Sequence, residues 1–450
     1  MGLDSDQWRR IYQIFDPTLR LEASDMDLFV QRPDSASQVI AEEIQLGLEP
    51  QGKWVLCGSV GSGKSSELVR LTQLLGRNTH APIGIDLTLS AARVDLLTPP
   101  EVLFLIGAGA LRAAQELWNL KVPSEHVSAL ATAFSALLGG QGHSVNISDL
   151  LQGVALFGAN VLAPGAGAVV GAAQGVAKAI GAARPSILVG KKKPQLGGLT
   201  RRLNEGEPDL VALQDAVNAI LHVLTESTPI ALVVDGLDKL QKLDVIRDLF
   251  ATTRVLCSPE VPVIYSGPIT LMLAAEWQGA GGSFKRARLP NIVVRNPLPD
   301  WVTLRAGQLE AGRAALRDVV ARRLERRAML PVDSVFEPDA LQALISASGG
   351  LLRDLIHLVN RAVRSALAEG HAIIAMQAAA AAIEEIRKEY EITLNTRRVN
   401  ELLHVREHGE PSGSDDVSKD LLLWDYVLPY ANGKVWFEPH PILSGSRPGL

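Results

Sequence analysis

Cysteine is nearly absent from this chain of 450 residues: Cys57 and Cys257 are the only two. Two thiols exclude a disulfide-stapled scaffold and any cysteine-rich zinc module. Both lie in apolar runs, where buried, reduced thiols are expected. A surplus of one charge is also missing. Lys and Arg total 44 against 49 Asp and Glu, a net charge of −5. That balance excludes a chain-wide basic coat for nucleic acid, although it leaves room for a local basic face. The opening stretch, MGLDSDQWRRIYQIF, has no basic segment followed by an apolar one, so no secretory signal is expected there. A cytoplasmic protein is the expectation. The sequence contains no internal repeat.

What is present is material for a core. Hydrophobic residues make up 47% and charged residues 21%, which excludes global disorder. At about 150 residues per domain, the length allows two to three domains. Residues 1–35 form a turn-rich N-terminal extension with Pro17 and Pro33 as breakers. Helical spacing runs from Ser37 to about Leu46. Short apolar runs follow at Trp54–Cys57, Ile83–Leu87, Ile230–Val234, Val261–Tyr265 and Ile292–Val294, with helical stretches between them. Strands of this kind alternating with helices predict an α/β fold, a parallel five-stranded core sheet flanked by helices. This core is expected over residues 36–330, with an Ala/Gly-rich insert at about 123–200. Strand signals stop near Pro331, and residues 331–395 read as a helical lid broken at Gly349-Gly350 and Gly370. A C-terminal segment, 396–450, has linker composition over 409–420. It then places Asn432-Gly433 between two apolar runs, a hairpin cue.

Between the first strand and the helix that follows stands Gly58-Ser59-Val60-Gly61-Ser62-Gly63-Lys64-Ser65, a full match to G-x-x-x-x-G-K-[ST] in the context that gives the motif its meaning. Backbone N–H groups must wrap phosphates closely, and glycine removes the Cβ that would obstruct them. The start of a helix near Lys64 adds partial positive charge. Residues 58–66, ending at Ser66, are therefore the candidate ATP cradle, with Lys64 bridging the β- and γ-phosphates and Ser65 ligating Mg²⁺. A second metal-side carboxylate is expected at the end of a neighbouring buried strand. Ile230-Ala231-Leu232-Val233-Val234-Asp235 supplies it, and Asp238 follows close enough to orient a water. A helix cap or a first-turn acid would use the same residues.

The pair GSVGSGKS and IALVVDGLDK resembles the Walker A and Walker B motifs of STAND/AAA-type P-loop ATPases, and the resemblance covers roughly residues 36–390. It implies ATP hydrolysis and a homo-oligomer formed on ATP binding. It also implies signalling through an unidentified effector or sensor protein, in bacterial stress or phage defence. VPVIYSGPI is similar to the sensor-1 strand of that group, which puts Ser266 near the γ-phosphate. SGGLLRDL is similar to the sensor-2 element, which makes Arg353 the phosphate-contacting arginine of the lid. Two departures stand out. Gly236 occupies the place where AAA+ members carry a catalytic Glu, and Lys239 stands where STAND members often extend the motif with an acid. Slow hydrolysis, suited to a switch, is the expectation. A nucleic-acid-dependent loader or remodeller is the alternative.

From Leu150 to Ala177 no residue is charged, a length that spans a bilayer. Its Ala, Gly and Pro164-Gly165 content gives it a weak apolar drive. A buried or oligomer-packed insert and a membrane-acting, nucleotide-gated segment are both open. Lys191-Lys192-Lys193 and Arg201-Arg202 after it suit headgroups, nucleic-acid phosphates or plain solvent. Arg313, Arg317, Arg322, Arg323, Arg326 and Arg327 crowd one helix: a solvated face, a partner surface or a source of an arginine acting in trans. Arg254 and Arg295 are rivals for that last role.

Overall fold

A computed structural model describes residues 2–33, 35–78, 80–91, 93–138, 153–157, 196, 206–273, 283–413, 416–447 and 449. Its principal helices are α1 (Ser5–Ile14), α2 (Ala36–Gln45), α3 (Lys64–Asn78), α4 (Pro99–Arg112), α5 (Ser124–Leu137), α6 (Pro208–Thr225), α7 (Gln308–Arg323), α8 (Pro338–Ala347), α9 (Leu352–Ala368), α10 (Met376–Glu391), α11 (Thr396–His408) and α12 (Asp416–Leu423). The strands are β1 (Lys53–Gly58), β2 (Ala81–Asp86), β3 (Ala155–Phe157), β4 (Ile230–Asp235), β5 (Val263–Pro268), β6 (Lys285–Arg288), β7 (Val427–Ala431) and β8 (Val435–Pro439).

The central sheet runs β3-β2-β4-β5-β1-β6. It is parallel except for β3, which pairs antiparallel with β2 and places Ala155 opposite Asp86. The core sheet thus has six strands where the sequence suggested five. The extra edge strand comes from the insert. The apolar run Ile292–Val294 is not a strand. Its backbone serves the lid instead, Ile292 N donating to Gly350 O at 3.4 Å, and the last strand is β6, at the edge beside β1.

Side-chain alternation explains why β1 and β4 read as unbroken apolar runs: both faces are covered. Val55 and Cys57 of β1, with Ile230, Leu232 and Val234 of β4, join the core under α4, α5 and α6. Trp54, Leu56, Ala231 and Val233 face α2 and α3. α4 is buried along its whole length, as a helix apolar on every side should be. Its first turn is closed by Thr98, whose N and Oγ1 both donate to Glu101 Oε2, at 2.9 and 2.8 Å. Cys57 is buried, and burial pushes its thiol up to about 12, whereas Cys257 is only partly covered, contrary to the expectation for both thiols.

The lid helices α8, α9 and α10 have their own core, and α1 is part of it through Trp8, Ile11 and Phe15. The hairpin expected around Asn432-Gly433 is present as β7–β8, with Tyr430 opposite Trp436. It is bolted to the rest by Glu438, which accepts from Arg295 Nη2 at 2.8 Å, Leu298 N at 2.9 Å and Trp436 Nε1 at 3.0 Å.

Candidate functional site

β1 ends at Gly58 and α3 begins at Lys64, so Ser59–Gly63 must reverse the chain within one tight loop. Gly61 makes the turn at φ 91°, a region that side chains rarely enter. A Cβ there would also stand 2.5 Å from Arg353 Cβ. The lid lies that close because Arg353 N, in the first turn of α9, donates to Gly61 O at 3.2 Å.

Lys64 is buried, and its ammonium points inward. Nζ donates to the carbonyls of Gly58 and Ser59 at 2.7 and 2.6 Å and lies 3.1 Å from Asp238 Oδ2. All three donors are engaged. Burial opposes ionisation of Asp238, but Lys64 beside it holds the carboxyl below its usual range.

Asp235 ends β4, which is not a neighbour of β1 as expected, because β5 lies between them. The Ser65 side chain nevertheless lies near enough to the Asp235 carboxyl to favour its charged form. Burial, then the nearby Asp238 and Asp86, push Asp235 up to about 6. Gly236 then turns the chain at φ 111°, where a Cβ would meet Thr88 Cγ2 at 2.9 Å. Ser266, on β5 opposite Leu56, accepts from Gly236 N at 2.8 Å and Leu237 N at 3.1 Å. Its hydroxyl therefore fixes the loop that carries Asp238.

Two residues of the site have no motif around them. Asp86 is the register partner of Asp235 and accepts from Thr88 N, Leu89 N and Arg20 Nη1 at 2.8, 3.1 and 2.9 Å. The apolar run that it closes, Ile83-Gly84-Ile85, has the same design as the run before Asp235, which was the available signal. Arg20 belongs to the N-terminal extension, and nothing local announces it. That extension borders a cavity of about 470 Å³ together with Gly61, Lys64, Ser65, Ser66, Asp238 and Arg353. Pro17, Leu19, Phe29 and Ile356 make one side of it apolar. The volume suits a small ligand.

Much of the basic helix is spent on contacts within the chain, while Arg326 is exposed. Arg313 Nε donates to Val294 O at 2.9 Å and Arg323 Nη1 to Ile14 O at 2.9 Å. Arg322 donates to Phe29 O. Arg317 pairs with Asp333 at 2.7 Å, and Arg327 pairs with Asp25 and Asp27, each at 2.9 Å. Most of these contacts clamp the N-terminal extension rather than face solvent. Arg295, held by Glu438, is tied down as well. Lys191–Lys193 and Arg201–Arg202 lie outside the described residues, as does Leu150–Ala177 apart from 153–157. Among the described residues no helix is long and apolar enough to cross a membrane.

No protein-family model and no curated protein matches the chain. Among solved structures it is similar to the Aeropyrum pernix ORC2 protein in ADPNP-ADP complexes, at 11% identity over 95% of this chain and 93% of that one, TM-score 0.40. It is similar to the Aeropyrum pernix ORC1 protein in complex with DNA, at 13% identity over 97% and 96%, TM-score 0.39. A Thermotoga maritima RuvB variant matches at 14% identity over 50% of this chain and 80% of that one, TM-score 0.24. At these scores the likeness assigns neither fold nor function. Both rest on the chain's own strand order and site.

Proposed function

We propose that the chain binds ATP with Mg²⁺ in the cavity between the phosphate loop and the N-terminal extension, hydrolyses it slowly, and converts nucleotide state into lid position. The observation that carries this reading is the convergence of Lys64, Ser65, Asp238 and Arg353 on one cavity, with Asp235 near Ser65. The apolar side of the cavity suits a base, and the loop amides with Lys64 suit phosphates. Ser65 and Asp235 offer hard oxygen donors, and Asp235 sits among carboxylates that a divalent cation would relieve. When bound, Mg²⁺ supplies charge neutralisation on the phosphate oxygens.

Lys64 must leave Asp238 to reach the phosphates. That exchange frees Asp238 to orient the attacking water, the role that Gly236 has no side chain to fill. Arg353, held against Gly61, is the lid's reporter of the γ-phosphate. Together these features support a STAND-like switch, oligomerising with ATP and acting on an effector or sensor protein, better than a motor. Titration calorimetry of ATP and ADP, with and without Mg²⁺, tests the site. Wild type should bind, and Lys64→Ala should lose at least a hundredfold in affinity. Equal affinity in both proteins would sink the reading.

The second reading is a nucleic-acid-dependent loader or remodeller. ORC proteins bound to DNA are among the structures that the chain resembles loosely, and the described basic helix does not support this reading. Stimulation of turnover by duplex DNA, falling steeply with salt, would select it.

A further inference from the structure

Four arginines line the cavity: Arg20, Arg32, Arg323 and Arg353. Two of them hold backbone. Arg32 donates to Ser62 O at 2.8 Å and to Pro290 O, and Arg323 donates to Ile14 O. Arg353 belongs to the lid. Arg20 differs from all three, because its ion-pair partner is a side chain at the edge of the reaction site. Its Nη1 lies 2.9 Å from Asp86 Oδ2 and 3.1 Å from Thr88 Oγ1, and its side chain is 39% exposed. Asp86 stands opposite Asp235 in the β2–β4 ladder, so Arg20 is one carboxylate away from Asp235. It also lies near enough to Lys239 to disfavour that residue's charge, after burial, which is the larger cause.

The pair is asymmetric: the Arg20 guanidinium reaches solvent, whereas the Asp86 carboxylate is buried, so release of Arg20 has to be offset by a stronger ligand. If Arg20 departs, Asp86 Oδ1 keeps its bonds from Thr88 N, Thr88 Oγ1 and Leu89 N, whereas Oδ2 gives up the guanidinium. A phosphate offers the planar fork of Arg20 a stronger, two-point partner. Asp235, beside Asp86 in the ladder, adds to the negative charge that Arg20 meets there.

Building on the ATPase reading above, we propose that Arg20 is a catalytic arginine supplied in cis: with ATP bound it leaves Asp86 and donates to the γ-phosphate oxygens. In the step it serves, the oxygen of a water forms a bond to the γ-phosphorus while the bond from that phosphorus to the β–γ bridging oxygen breaks. The electron pair of the broken bond leaves with ADP, and the water's proton passes through Asp238 to solvent as inorganic phosphate departs. Charge that builds on the γ-oxygens in this transition state meets the Arg20 fork. The arginine then arrives with the nucleotide-binding fold itself, and turnover needs none from a second copy.

The experiment compares wild type, Arg20→Ala and Arg20→Lys in three measurements. These are kcat at saturating ATP, affinity for ADP and for a non-hydrolysable ATP analogue, and turnover per protein across a dilution series followed by light scattering. Arg20→Ala should lower kcat at least tenfold, keep ADP affinity within a factor of two, and lose any preference for the triphosphate. Arg20→Lys, which keeps the charge without the fork, should fall between. Wild-type turnover per protein should stay constant down to monomer. A kcat within tenfold of wild type in Arg20→Ala would overturn the proposal. So would parallel loss of ADP and triphosphate binding, which makes Arg20 a tether, or turnover that vanishes on dilution. If wild type itself binds no nucleotide, or binds it independently of Lys64, the ATP site is what fails, and the proposal fails with it.

Discussion

Lys64 Nζ lies 3.1 Å from Asp238 Oδ2, and both side chains are closed to solvent. The lysine expected to hold phosphate is thus already neutralised by the acid expected to orient water. The two groups restrain each other until a ligand separates them.

Asp238→Asn removes the competitor for Lys64 and leaves a buried ammonium with two carbonyls. Losing one partner of a buried pair costs about 3–5 kcal/mol, so the nucleotide-free protein should melt earlier. ATP binding should tighten, because Lys64 no longer has to leave a carboxylate, while turnover slows. Thermal shift with and without nucleotide reads both effects. Unchanged ATP affinity would mean that the pair does not gate the site.

Asp235→Asn isolates the cost of a crowded charge. The carboxyl is pushed up to about 6 from 3.8, so the folded protein binds this proton more tightly than the unfolded chain does. Stability from this group is complete below about 4 and is lost as pH rises through about 6. Above that the charged form costs up to about 3 kcal/mol. The Asn variant should therefore be more stable than wild type at pH 7–8 without nucleotide and should lose that advantage by pH 4. It should also bind nucleotide without Mg²⁺-dependent turnover. Denaturant midpoints across pH, with equal curves for both proteins, would refute the charge argument.

Arg353→Ala should leave ADP affinity nearly intact and abolish the ATP-versus-ADP difference in lid protection. A ligand moves an equilibrium only through contacts that differ between the states. Limited proteolysis with each nucleotide measures this. Equal nucleotide-dependent patterns in variant and wild type would leave the lid without this reporter.

Glu438→Ala should detach the C-terminal hairpin from its neighbours. The carboxylate accepts from Arg295, Leu298 and Trp436 while almost fully buried, so about 3–5 kcal/mol is at stake. Urea unfolding should show the loss, and wild-type stability in the variant would contradict it.

The sequence revealed what local pattern dictates. β1 and β4 were legible because strands covered on both faces need apolar side chains at every position, and the phosphate loop because few sequences make that turn. Asn432-Gly433 announced β7–β8 for the same local reason. Burial alone misled at Ile292–Val294, an apolar run whose backbone bonds to the lid at Gly350 instead of to a strand. Lys285–Arg288 offered no apolar run to read, because an edge strand is half exposed and keeps its charges. The N-terminal extension was opaque. Arg20 and Asp86 are 66 positions apart, and no periodicity connects a turn-rich segment to a distant strand end.

β3 is three residues long, yet it occupies the one side of β2 that β4 leaves open. Its hold is reinforced by Ala155 N, which donates to Ser90 Oγ at 2.8 Å. Trimming the chain across the insert to obtain a tidier protein would strip that cover. The N–H and C=O groups along Gly84–Asp86 that β3 covers would then invite strands from other molecules. β3 thus shields the Gly84–Asp86 edge of β2, and a protein shortened through it should aggregate more readily than the full chain, as light scattering would read.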